Sequence, residues 1–192
     1  MLPLLVWRFA DPLRVASTAS CGGGLGERRW VINAQVGNDY GRRDQDRHGA
    51  ELAAAARLTG SGVVMFTAAD VRGLRRAADG GVMVEATVGL THPAWAADID
   101  DRDTAPAPTP GTINVVAYLP VRLTDAALLN ALCTVTEAKT QALLAAGVPG
   151  TGTPSDAVTV VCPTTTPAEP FAGPRSTWGA RLARAVYQAV HA

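Results

Sequence analysis

Short runs in which valine, isoleucine and leucine alternate with other residues recur along the chain, each bounded by glycine, proline or aspartate. They fall at Leu4 to Phe9, Arg14 to Ala19, Trp30 to Val36, Val63 to Thr67, Val82 to Val88, Ile113 to Leu119 and Ala157 to Val161. A period of two sends successive side chains to opposite faces, and β-branched residues suit a pleated, half-buried surface, so these runs predict strands. Helical periodicity occupies about Ala50 to Leu58, Val71 to Ala78, Ala126 to Ala146 and Trp178 to Val190. Thr124 suits the N-cap of the third of these, and Ser176 or Thr177 that of the fourth. Strands outnumber helices and do not alternate with them strictly. The expected fold is therefore α/β with α+β character: one domain over residues 1–192, with a mixed β-sheet covered by helices rather than a doubly wound parallel sheet.

Two proline-rich stretches interrupt this pattern, Asp98 to Pro110 and Pro163 to Pro174. Both read as surface loops, or as a flap over a site, because the pieces between them are too small to fold alone.

Composition narrows the function classes. Seventeen basic and 17 acidic residues give a formal net charge of zero. That leaves no electrostatic footprint for nucleic acid or for an anionic membrane surface. Cys21, Cys133 and Cys162 are widely spaced and none forms a C-x-x-C pair, so they read as small core residues in a reducing compartment. The opening MLPLLVWRFADPLRV lacks the basic and apolar regions of a signal peptide, and no apolar run approaches the roughly 20 residues that span a bilayer. A cytoplasmic location is expected, and a homo-oligomer is compatible with the sequence.

The longest helical segment carries an anomaly. At 100° per residue, Leu128, Ala131, Leu132, Val135, Ala138 and Ala142 share an apolar arc, whereas Asn130, Thr134, Glu137 and Gln141 lie opposite. Lys139 projects from the middle of the apolar arc, and it is the only lysine among the 17 basic residues. Lysine differs from arginine in being a compact charge that can act as base, acid or anion-stabilising donor. The competing reading is that its stem covers apolar surface while the ammonium snorkels to water.

Other polar residues sit inside apolar strands. Asn33 in WVINAQV and Asn114 in GTINVVAYL must be hydrogen-bonded if buried, and a carboxamide could bind substrate amides. Glu85 lies among valines, at an exposed edge or in a site. Thr67 ends a strand and could face a cleft, while Asp70 just beyond it suits an N-cap. The glycine-rich segments SCGGGLG (Ser20 to Gly26) and PGTGTPSD (Pro149 to Asp156) allow backbone N–H groups to approach a ligand, but neither has the spacing of a phosphate loop. His48, His92 and His191 are scattered, no G-x-S-x-G elbow is present, and no metal-ligand spacing is found.

In order along the chain, VASTASCGGGLG, VINAQVGNDY, MFTAADV, VEATVGL, PGTINVV, TVTEAKTQAL and GTGTPSDAVTVV resemble the adenosylcobinamide amidohydrolase family. Where that family reads GTGTDA, this chain places Pro154 and Ser155 before Asp156. The resemblance implies a cytoplasmic hydrolase of corrinoid salvage, which cuts the aminopropanol amide of adenosylcobinamide to give adenosylcobyric acid. The expected partner is then a small-molecule corrinoid, and no cofactor is expected because the cobalt belongs to the substrate. Residue chemistry suggests Glu137 or Glu85 as the base, with Lys139 and the Gly150 to Thr153 backbone holding the oxyanion. Asn33 and Asn114 would bind corrin amides, with Thr67, Asp70, Gly152, Thr153 and Asp156 completing the substrate site. An acyl-enzyme through Thr151, Thr153 or Ser17 stays open. So do a non-catalytic corrinoid-binding protein and an amidase for another small metabolite.

Overall fold

The computed structural model describes residues 2–98, 111–165 and 167–191. Its strands are β1 (Leu4–Ser17), β2 (Gly24–Gln35), β3 (Gly62–Thr67), β4 (Arg75–Asp79), β5 (Val82–Val88), β6 (Ile113–Tyr118) and β7 (Ala157–Cys162). Its helices are α1 (Gln45–Ala55), α2 (Asp125–Ala145) and α3 (Thr177–His191). The strands form one seven-stranded sheet in the order β3-β2-β1-β7-β6-β5-β4. The β2–β3 and β6–β7 pairs are parallel and the rest antiparallel, which makes the sheet mixed, as the pattern predicts.

Alternation along each strand divides the residues between two faces. On one, Ala16, Val84, Val115 and Val160 pack under Leu128 and Val135 of α2 and Leu182 and Val186 of α3. On the same strands, Val15, Val116 and Val161 point the other way and meet Val31, Val63 and Met65 from the β2–β3 arm. That second face closes on itself: Asn114 Nδ2 on β6 reaches the carbonyl of Phe66 on β3 at 3.1 Å, and Asn33 Nδ2 on β2 reaches Thr87 Oγ1 on β5 at 2.9 Å. The sheet is curled, and accumulated strand twist lets a sheet of this size curl. α1 covers the outside of the β2–β3 arm, with Leu52 and Ala53 packed on Ile32, Ala34 and Val64.

Three departures from the sequence reading have physical causes. The two runs Leu4 to Phe9 and Arg14 to Ala19 form one strand, β1, whose register against β2 shifts between Arg8 and Leu13. Pro12 sits in this irregular stretch, where a missing N–H costs the ladder least. Val71 to Ala78 is not a helix. Only Val71–Gly73 forms a single 3-10 turn, and Arg75–Asp79 pairs with β5 across a two-glycine hairpin. Gly80 and Gly81 have φ of +53° and +91°, the left-handed backbone that tight hairpins require, so the turn overrode the helix propensity of arginine and alanine. Cys133 is exposed on α2, unlike Cys21 and Cys162, which are buried as expected.

The described residues of the Pro163 to Pro174 segment lie largely at the surface, whereas residues 99–110 of the other proline-rich stretch, like residue 166, lie outside the described residues. Thr124 caps α2 by accepting from the N–H of Ala127, and Ser176 Oγ accepts from that of Gly179 at the start of α3. Among the described residues, no helix is long and apolar enough to cross a membrane.

Surface ion pairs tie the layers together. Arg14 of β1 holds Asp125 of α2, Arg184 of α3 holds Asp79 of β4, and Arg42 bridges Asp44 and Glu51. Each of these four carboxyls is pulled below its ordinary range by the hydrogen-bonded arginine, Asp44 to about 2. A carboxyl with a lowered folded-state value stabilises the fold above its unfolded value of about 4 and loses that contribution as pH falls through the lower one. The urea midpoint is therefore expected to decline steadily from pH 5 to pH 2. Because these pairs are exposed, 1 M salt is expected to shrink the decline. A midpoint flat over that range would show that the pairs do not contribute.

Candidate functional site

The anomalous lysine of α2 does not snorkel. Lys139 is 5% exposed, and its ammonium is paired with a carboxylate oxygen of Asp156 at the mouth of β7. Desolvating both charges is costly unless the remaining lone pairs are satisfied, and Asp156 is satisfied fully. Oδ2 accepts from Lys139 Nζ and from the N–H of Thr153 at 3.2 Å. Oδ1 accepts from the N–H of Ile113 at 2.9 Å and from the hydroxyl of Thr153. Four donors occupy the four acceptor positions of one carboxylate. Asp156 is thus an organiser rather than a free base, joining α2, β6, β7 and the glycine loop.

Glycine at position 152 is a packing requirement of this cluster. A Cβ built there would lie 2.5 Å from both Asp156 Oδ2 and Lys139 Nζ. The loop is pinned from outside as well. Ala94 donates to the Gly152 carbonyl and accepts from the N–H of Thr151, both at 2.9 Å, and Thr140 of α2 donates to the Thr151 carbonyl at 3.0 Å.

Asp156 lines a cavity of about 390 Å³ at this end of the curled sheet. Thr112, Ser155 and Ala157 join it from the β6–β7 side, with Thr18 and Ser20 from the end of β1. The β2–β3 arm contributes Tyr40, Met65, Phe66 and Thr67. Ser155, from the Pro-Ser insertion, shares a 2.8 Å hydrogen bond with Thr112 and donates to the Gly111 carbonyl. A wall of hydroxyls beside an anchored ion pair can grip a neutral, hydrogen-bonding group such as an amide.

The predicted site residues divide by location. Thr67 lines the cavity while its hydroxyl accepts from the N–H of Ala69. Thr153, Gly152, Asp156 and Lys139 form the cluster just described. Asn33 and Asn114 are brought together, each 1% exposed, but their amides bind one another and Thr87 instead of facing the cavity. The Asn114 carbonyl oxygen is left buried without a partner. Asp70 is apart, capping the 3-10 turn and bonded to Arg72, which is the capping reading of this residue. Glu137 is exposed on the outer side of α2. Thr134, expected on that same polar face, is buried instead, because its hydroxyl donates to the Ala172 carbonyl.

Glu85 lies at a different cavity, of about 700 Å³, whose walls are mainly apolar and include Phe9, Leu13, Met83 and Tyr118. There it accepts from Trp7 Nε1 and pairs with Arg76. Cys21, close to the first cavity, is no ready nucleophile: burial is the main cause pushing its thiol up to about 11. Among the described residues, no cluster of three or more His, Cys, Asp or Glu is placed to hold a metal ion.

Sequence reasoning missed Thr18, Ser20, Tyr40, Thr112 and Ser155. Their shared signal is position, since Thr18, Thr112 and Ser155 flank strand ends and Ser20 and Tyr40 lie in the segments that follow β1 and β2. The chain's relationships agree with the resemblance carried by its motifs. The profile of the family described as adenosylcobinamide amidohydrolase matches residues 1–192. The adenosylcobinamide amidohydrolase of Halobacterium salinarum is 41% identical over 134 residues, which is 67% of this chain and 57% of that protein. The adenosylcobinamide amidohydrolase of Methanosarcina mazei is 36% identical over 91 residues, 43% of this chain and 46% of that one. The chain thus matches about half the length of these relatives. The crystal structure of the PH0078 protein from Pyrococcus horikoshii OT3 is similar at a TM-score of 0.43 and 13% identity, covering 95% of this chain and 71% of that one.

Proposed function

The chain belongs to the adenosylcobinamide amidohydrolase family, and from that premise we propose that it hydrolyses the amide joining the aminopropanol arm of adenosylcobinamide to its corrin ring. The products are adenosylcobyric acid and aminopropanol. The observation that carries this reading is the hydroxyl-lined cavity of about 390 Å³ with the buried Lys139–Asp156 pair at its wall. A volume near the lower end of ligand pockets is too small for a macrocycle and suits a single side arm, so the ring stays outside while the amide enters.

Amide hydrolysis needs an activated nucleophile, stabilisation of the oxyanion and a proton for the leaving amine. Within this reading, Lys139 and Asp156 form a charge-neutral pair that holds the Gly150 to Asp156 loop in place. Thr112 donates to Ser155 and Ser155 to the Gly111 carbonyl, so this hydroxyl pair offers its remaining lone pairs to the substrate amide N–H. Glu137 and Glu85 have no part in it, since neither lines the cavity. The cobalt arrives with the substrate, no resident cofactor takes part, and the reaction runs in the cytoplasm.

Incubation of the purified chain with adenosylcobinamide, followed by mass detection, is expected to give adenosylcobyric acid and aminopropanol in equal amounts. Tight binding without product would make the chain a corrinoid-binding protein. Turnover of simple amides with the corrinoid left intact would make it a different amidase.

A further inference from the structure

Tyr40 follows β2, and His48 lies in the first turn of α1. The Tyr40 hydroxyl and His48 Nδ1 are 2.8 Å apart, and both rings stack on Phe66 of β3 at centroid distances of 5.3 and 5.2 Å. The Phe66 carbonyl is in turn held by Asn114, so the stack is fixed to the floor of the cavity. Tyr40 forms a partition: it lines the hydroxyl-rich cavity on one side and, with His48, a smaller one of about 250 Å³ on the other.

Among the described residues lining this cavity, Asp156 is the only carboxylate. Asp156 has its four acceptor positions filled, Glu85 faces the other cavity, and the Cys21 thiol is held protonated at neutral pH. A phenol can accept one proton while donating another, and imidazole is the side chain best suited to take up and return a proton near neutrality. We propose that Tyr40 is a catalytic residue that passes protons between the substrate and His48, with His48 acting through it as a positioning residue and proton store. The inference rests on the amidohydrolase reading.

Each step balances. The water oxygen bonds to the amide carbon, the carbonyl π pair moves onto oxygen, the water proton passes to Tyr40 Oη and the phenolic proton passes to His48 Nδ1. When the carbonyl re-forms, the C–N bond breaks and its electron pair stays on nitrogen. The proton returns from His48 through Tyr40 to that nitrogen. Burial, more than any neighbouring charge, pushes the Tyr40 phenol up. Arg42 opposes that shift, while Asp44, Cys21 and Glu51 reinforce it. Arg42 and Glu51 also surround the His48 side of the pair, Glu51 feeling the imidazole charge, with Arg47 nearby.

The test is steady-state kinetics of the whole chain on adenosylcobinamide across pH, beside equilibrium dialysis of the substrate. Tyr40→Phe is expected to lower kcat by about 100-fold or more, the usual range for lost proton transfer, with binding changed less than about threefold. His48→Gln is expected to lower kcat and to flatten the acid limb of the kcat/KM profile. Tyr40→Phe with kcat within threefold of the parent, or an acid limb unchanged in His48→Gln, overturns the relay. A kcat loss matched by equal losses of binding and melting temperature also overturns it, as a packing effect. A parent chain without turnover sinks the amidohydrolase reading and the relay together, whereas variants indifferent beside an active parent sink the relay alone.

Discussion

Asp156→Ala is expected to lower the melting temperature by about 6–20 °C and to abolish turnover, while Lys139→Met costs clearly less stability. The asymmetry follows from the hydrogen bonds. Removing the carboxylate strands a buried ammonium and leaves the N–H groups of Ile113 and Thr153 and the Thr153 hydroxyl without their acceptor. Breaking a buried pair in this way costs about 3–5 kcal/mol, and in a chain of this size each kcal/mol moves the melting temperature by about 2–4 °C. Removing the lysine instead leaves a carboxylate that keeps three donors. Its loss is closer to the roughly 1.5–3 kcal/mol of one hydrogen bond to a charged group. Calorimetry of the two variants decides the matter. Equal losses, or a larger loss for Lys139→Met, would mean that the lysine anchors the cluster and the aspartate merely answers it.

Much of this cluster was readable in the chain, for one reason. A lone lysine at the centre of an apolar helical arc breaks a pattern, and broken patterns survive without knowledge of the fold. The same reasoning marked Asn33, Asn114 and Glu85 as unusual, but it could not say what each would meet. Arg76 faces Glu85 directly across the β4–β5 pair, but Thr87 and Trp7 come from strands that meet Asn33 and Glu85 only because the sheet curls, and curling is a property of the whole sheet. Tyr40 and His48 escaped for the opposite reason. A tyrosine after a strand and a histidine in a helix break no pattern, and seven intervening residues hide a contact that exists only once α1 folds back over β3. Helix α2 and strands β3, β5 and β7 were legible almost to their ends, since each carries its period without interruption. The β4 hairpin was not, because arginine and alanine favour a helix locally and only the two glycines that follow announce the turn.

Gly152→Ala is the second large effect, and it probes the ion pair without touching either charge. The added methyl would sit 2.5 Å from both Asp156 Oδ2 and Lys139 Nζ, so one of them must move. The carboxylate is held by backbone donors on two sides, from Ile113 and Thr153, whereas the ammonium ends a flexible stem. The lysine is the group that yields, and it yields into an apolar surround. Overpacking of this kind costs about 1–3 kcal/mol, and here the weakened pair adds to it, so a loss near the upper end is expected. Turnover should fall with it, because the Thr151 to Thr153 backbone is pinned to Ala94 on one side and Asp156 on the other and cannot absorb the shift freely. A double-mutant cycle isolates the cause. If the methyl acts by displacing the ammonium, Gly152→Ala costs far less in a Lys139→Met background, where the shorter, uncharged side chain leaves room for it. If the cost is the same in both backgrounds, the glycine serves the loop backbone alone, and the coupling drawn here between loop and ion pair is wrong.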